Sequence, residues 1–168
     1  GAMNLPVDMI PAFAGWFIAE GQKLALIASD EEKLATATEH LVRIALDNLA
    51  GGYVGVVPAA AQGVRMQSIP MIGTEEVAQR LADAAPDWTL LDVRDADERG
   101  EQSIEGSRHI YVGELNERWR DLDADRRYTL MCASGMRATV AAGWLASKGF
   151  RKIDVYLGSM GAWQAFHG

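Results

Sequence analysis

From about residue 68 onward, short apolar runs alternate with stretches in which apolar residues recur every three or four positions. Thr74 reads as a helix N-cap, with Glu75 and Glu76 in the first turn and Val77, Leu81 and Ala84 at helical spacing. Trp88 to Val93 is a short apolar run that reads as a strand buried on both faces. Gly113 to Leu122 predicts a surface helix with Leu115, Trp119 and Leu122 inward, and Tyr128 to Met131 the next strand. Arg137 to Lys148 predicts a helix stopped by Gly149, Ile153 to Leu157 a strand, and Gly161 to Phe166 a short last helix. This alternation implies an α/β domain: a mostly parallel sheet with helices on both faces. Cys132 then falls at the carboxyl end of a strand, where open α/β sheets place their ligands.

Composition narrows the class. The chain has 168 residues, 49% of them hydrophobic, enough for a core of ordinary size in one or two domains. A formal charge of −7, with no basic stripe, argues against nucleic-acid or anionic-membrane partners. No apolar run approaches the ~20 residues that span a bilayer. A single cysteine excludes an internal disulfide and fits a reducing compartment, so the expected location is cytoplasmic. His40, His109 and His167 lack ligand spacing, so neither a metal nor another cofactor is expected.

The cysteine carries the chemistry. In Leu130-Met131-Cys132-Ala133-Ser134-Gly135-Met136-Arg137-Ala138 it stands between an apolar strand and the start of a helix. A loop there can offer unpaired backbone N–H groups and the positive helix end to a thiolate. Ala133, Ser134 and Gly135 are small enough to let the loop curl around sulfur, Met136 completes the ring of amides, and Arg137 adds a fixed positive charge. A lone cysteine is more often a small buried hydrophobe; the flanking pattern favours a nucleophile here.

Cys132 to Ala138 resembles the active-site loop of rhodanese-type sulfurtransferases, and three further segments resemble that family in order and spacing. They are Leu90-Leu91-Asp92-Val93-Arg94 with Glu98, Ile104-Glu105-Gly106-Ser107, and Leu157-Gly158-Ser159-Met160-Gly161-Ala162-Trp163, in which Ser159 stands for a second glycine. The resemblance covers about residues 68 to 168. It implies a five-stranded rhodanese-like sheet and ping-pong transfer of sulfane sulfur through a Cys132 persulfide. The donor would be thiosulfate or a low-molecular-weight persulfide, and the acceptor a thiol or cyanide. The four residues between Cys132 and Arg137 are one fewer than in phosphatases with a Cys-x5-Arg loop, and the smaller ring suits an added sulfur better than phosphate. Asp92 and Arg94, with Glu98, are expected to support the turn beside the site by ion pairing. The alternative is a non-enzymatic docking or redox-sensing module.

The first part of the chain repeats this plan. Shifted by 104 positions, Leu26, Ala37 and Leu41 fall on identical Leu130, Ala141 and Leu145, and Lys33 on Arg137. Ala28 falls on Cys132, and Asp30 and Glu31 on Ser134 and Gly135, so this copy lacks the nucleophile and would repel anions. Gly1-Ala2-Met3-Asn4-Leu5-Pro6 is the counterpart of Gly106 to Tyr111. The expected organisation is a partial, inactive rhodanese-like module over 1–56, a linker over 57–67 and a complete domain over 68–168. A degenerate copy followed by an intact one resembles the C-terminal region of metallo-β-lactamase/rhodanese fusions of the persulfide dioxygenase type, which implies an upstream metallo-β-lactamase domain.

Overall fold

A computed structural model describes residues 2–64 and 66–168; Gly1 and Arg65, parts of the repeat and linker expectations, lie outside the described residues. The chain divides into two compact units, one of Leu5–Ser68, the other joining residues 2–4 to Ile69–Gly168.

In Leu5–Ser68 a 3-10 turn over Val7–Met9 leads into helix α1 (Ile10–Phe17). Strand β1 (Leu24–Ala28), α2 (Glu31–Arg43), β2 (Leu49–Val54) and α3 (Val56–Ala61) follow. Strands β1 and β2 pair in parallel, starting at Leu24↔Leu49. The Asp30 side chain caps α2 by accepting from the Lys33 amide. Ile10, Ala14, Ala37, Leu41 and Leu46 form the core of this unit. Residues 56–61, which overlap the start of the linker expected over 57–67, are helical. Pro58 sits in the first turn, where an amide proton has no intrahelical partner, and the alanines after it favour the helix.

The second unit contains β3 (Met71–Ile72), α4 (Thr74–Ala82), β4 (Trp88–Asp92), α5 (Ala96–Glu101) and β5 (Arg108–His109). It continues with α6 (Leu115–Arg118), β6 (Arg127–Met131), α7 (Met136–Ser147), β7 (Ile153–Tyr156) and α8 (Ser159–His167). Its five strands form one sheet in the order β3-β7-β6-β4-β5, parallel throughout, as the alternation of elements requires. Leu91, Leu130 and Val155 share a register row and one face, and α7 packs against β6 and β7. On the other face Ile72, Trp88, Leu90, Met131 and Tyr156 pack with Val77, Ile104 and Met160. Each such side chain removed from water contributes about 1.5–3 kcal/mol before entropy is counted.

Three expectations shift locally. Gly73, not Thr74, caps α4, because the Thr74 hydroxyl is engaged by the Tyr156 phenol at 2.8 Å. Ala84 lies beyond the helix end and is exposed. The helix expected over Gly113–Leu122 is broken into a 3-10 turn, the single turn α6 and a second 3-10 turn over Trp119–Asp121, although Leu115 and Leu122 are buried as anticipated. Within this unit the Met3–Asn4 backbone crosses α7 at Gly143, where a Cβ would lie 2.9 Å from the Asn4 amide nitrogen.

Candidate active site

Strand β6 ends at Met131, and the next residue, Cys132, is a free thiol with only 1% of its surface exposed. The chain reverses through Ala133, Ser134 and Gly135 and enters α7 at Met136. Gly135 has φ +99°, a region a side chain would strain, and this turn aims its amide at sulfur: Gly135 N–H donates to Cys132 Sγ at 3.1 Å. A buried N–H pointing at sulfur stabilises negative charge there. Ala133, Ser134 and Met136 face solvent around it.

The loop is clamped from behind by the start of α8. The Met160 and Gly161 amides donate to the carbonyls of Cys132 and Ala133, each at 3.0 Å. The Cys132 amide in turn donates to Ser159 Oγ at 3.0 Å, and that hydroxyl donates to the Tyr156 carbonyl at 2.9 Å. Ser159 is fully buried and holds φ +50°. Its role is a feature the sequence reading missed; the one signal was a hydroxyl at a position where the family pattern has glycine.

Arg137 leaves the first turn of α7 and meets a carboxylate rather than open space. Its two terminal nitrogens donate to the two Glu98 oxygens at 2.5 and 2.7 Å, and Asp95 Oδ2 lies 3.7 Å away. Its guanidinium is held charged more firmly than usual, first by the Glu98 hydrogen bonds, against the opposing effect of burial, with the charges of Glu98, Cys132 and Asp95 adding. Glu98 and Asp95 come from α5, where Asp95 also caps the helix by accepting from the Glu98 amide. That hydrogen bond leads the causes that lower the Asp95 carboxyl from its ordinary value.

Asp92 and Arg94 lie beneath this pair. Arg94 grips Asp92 at 2.7–3.2 Å through its side chain and donates its backbone amide to the same carboxylate at 3.0 Å. Its remaining donors reach the carbonyls of Glu98 and Gln102, and its own carbonyl receives His109 Nε2 at 2.7 Å. Both side chains are almost fully buried. Their bonds tie the ends of α5 to β4, and so fix the helix from which Glu98 reaches Arg137. The structure therefore brings Cys132, Gly135 and Arg137 together around one loop and places Asp92 and Arg94 in the support below. Among the described residues no cluster of His, Cys, Asp and Glu could hold a metal ion.

A buried thiol at the end of a parallel strand, beside a short loop that aims the Gly135 amide at it, defines a cysteine-centred site of the α/β class. Comparison with known proteins makes the class specific: the profile of the rhodanese-like domain matches residues 73–166, more than half of the chain, which belongs to that family. YtwF of Bacillus subtilis (strain 168), provisionally named a sulfurtransferase, is 33% identical over 96 residues, covering 57% of this chain and 91% of YtwF. The thiosulfate sulfurtransferase GlpE of Coxiella burnetii is 27% identical over 81 residues, 48% of this chain and 76% of GlpE. The crystal structure of a rhodanese-related protein from Thermoplasma volcanium superposes with a TM-score of 0.53 at 28% identity, over 58% of this chain and 93% of that one. The profile begins at residue 73, so it covers neither the expected degenerate repeat nor the metallo-β-lactamase resemblance.

Proposed function

We propose that the Cys132 unit is a sulfurtransferase that carries sulfane sulfur as a cysteine persulfide. The observation that carries this reading is the Gly135 amide aimed at Cys132 Sγ, together with the names of the relatives that share the domain. The Cys132 thiolate attacks the outer sulfur of the donor. With thiosulfate the new S–S bond forms as the old one breaks, and sulfite leaves with the bonding pair. With a low-molecular-weight persulfide the leaving group is its thiolate. An acceptor thiolate or cyanide then attacks the terminal sulfur of the loaded enzyme and returns Cys132 as a thiolate. The loop from Ala133 to Arg137 accommodates the charge on both anions, and Asp92 and Arg94 support it without touching substrate. Treatment with thiosulfate or glutathione persulfide is expected to add one sulfur, about 32 Da, to the wild type and nothing to Cys132→Ser. Transfer activity that persists in Cys132→Ser would overturn the mechanism.

On the same reading, Leu5–Ser68 is an inactive relative of the second half of the catalytic unit. Apart from one further 3-10 turn over Trp119–Asp121 in the catalytic unit, the order 3-10 turn, helix, strand, helix, strand, helix occurs in both, and Leu24↔Leu49 pairs where Tyr128↔Ile153 does, at the shift found in the sequence. At the cysteine position stands Ala28, and Asp30 starts α2 by side-chain capping, where Gly135 starts α7 with a left-handed turn. A Cys132→Ser/Ala28→Cys variant is expected to take up no sulfur; uptake would show that the first loop can still do the chemistry.

A further inference from the structure

Arg137 is the one cation of the cysteine loop, and its position suggests at first a seat for an anionic donor. Both terminal nitrogens are held bidentately by Glu98, Asp95 stands behind them, and the Arg137 side chain is only 18% exposed. A bidentate arginine–carboxylate pair is among the stronger polar contacts, so a donor oxygen that approaches this guanidinium meets a cation whose charge Glu98 already matches. With Glu98 in place, the thiolate faces one cation already matched by two carboxylates. A doubly charged donor meets more like charge than one of the same shape carrying a single charge.

We infer that Glu98 is a specificity-determining residue that neutralises Arg137 and biases the site toward singly charged sulfane donors over dianions. This rests on the sulfur-transfer reading. Glu98 touches neither sulfur nor donor; it acts through Arg137. Thiosulfate and methanethiosulfonate separate charge from shape, because a methyl group replaces one charged oxygen. In each case the Cys132 thiolate bonds to the outer sulfur, the S–S bond of the donor breaks, and sulfite or methanesulfinate departs with the electron pair.

The test is the ratio of kcat/KM for methanethiosulfonate to that for thiosulfate, with cyanide as acceptor and thiocyanate as product. Glu98→Gln keeps the shape and a neutral contact to Arg137 while removing the charge. It is expected to lower the ratio about five- to tenfold, the size expected of one unit charge acting across a partly screened site. Asp95→Asn preserves the helix cap and is expected to move the ratio the same way by a smaller factor, about two- to threefold. Glu98→Asp, which retains the charge, should stay within about twofold of the wild type. A ratio unmoved in Glu98→Gln, or moved equally by Glu98→Asp, would overturn the inference. If Glu98→Gln does not fold, an unmoved ratio in Asp95→Asn overturns it instead. Good turnover with no charge dependence leaves sulfur transfer standing and removes Glu98 from it. Absence of thiocyanate from either donor in the wild type overturns the sulfur-transfer reading and this inference with it.

Discussion

Ser159 Oγ accepts a hydrogen bond from the Cys132 backbone amide at 3.0 Å while donating to the Tyr156 carbonyl, and it does so from a left-handed backbone at φ +50°. Hydroxyl and strain are linked: the conformation that suits glycine is held by serine, whose oxygen satisfies a buried N–H beside the sulfur. Ser159→Ala keeps the strain and leaves that amide without its acceptor, so it is expected to cost about 1–3 kcal/mol. Ser159→Gly loses the acceptor but relieves the backbone, so it should be less damaging. Thermal melts decide, at roughly 4–8 °C per kcal/mol for a domain of this size. An alanine variant as stable as the wild type would show that the hydroxyl does not hold the loop.

Asp92 is fully buried and gripped by Arg94, so Asp92→Asn removes one charge and leaves the other in the interior. A loss of about 3–5 kcal/mol in urea unfolding is expected. The protein that remains folded should still be loaded with sulfur, since Asp92 touches neither the thiol nor the donor. A folded variant that cannot be loaded would assign Asp92 a direct part in the chemistry.

Much of this architecture was legible in the chain because parallel strands buried on both faces read as short runs rich in apolar residues. Trp88 to Asp92 and Ile153 to Tyr156 came within a residue of their observed ends. The cysteine loop was legible because its spacing is local. Pairings across long stretches of sequence were not: Glu98 meets Arg137 over 39 residues, and Ser159 meets Cys132 over 27. Sequence periodicity reports which face a residue turns to the core, not which partner takes its last hydrogen bond. The helix over Val56–Ala61 was hidden because Pro58 and the neighbouring glycines read as breakers when their place in a first turn is unknown.

Burial pushes the phenols of Tyr128 and Tyr156 above their ordinary value of 10.0, against the lowering effect of their hydrogen bonds with Asp123 and Thr74. The folded protein therefore favours the neutral phenols, and on raising the pH the unfolded chain ionises first. Their contribution to stability is complete below about pH 10 and is lost as the pH rises through the raised folded values. Urea midpoints are expected to fall above about pH 10, and the fall should be shallower in Tyr156→Phe. That variant should also be weaker by about 1 kcal/mol at neutral pH, for want of the hydrogen bond to Thr74. An alkaline fall as steep as that of the wild type would exclude Tyr156 as its source.

Gly143→Ala places a methyl group 2.9 Å from the Asn4 amide nitrogen, and a backbone atom is the neighbour least able to move aside. Either α7 shifts or the Met3–Asn4 segment lifts off. The expected outcome is about 1–3 kcal/mol of destabilisation, or faster amide exchange at residues 3 and 4 with little change in sulfur loading. Unchanged exchange and stability would show that the crossing contributes nothing.

The same crossing has a mechanical consequence. Because residues 2–4 lie with Ile69–Gly168, the 64 residues of Leu5–Ser68 form an excursion that leaves one compact unit and returns to it. Tension applied between residue 2 and residue 168 would run through the Met3–Asn4 contact on α7 and bypass the β1–β2 ladder until that contact yields. The excursion would then extend only after its anchor had slipped, so the force needed to stretch Leu5–Ser68 is set first by a glycine on a helix of the other unit.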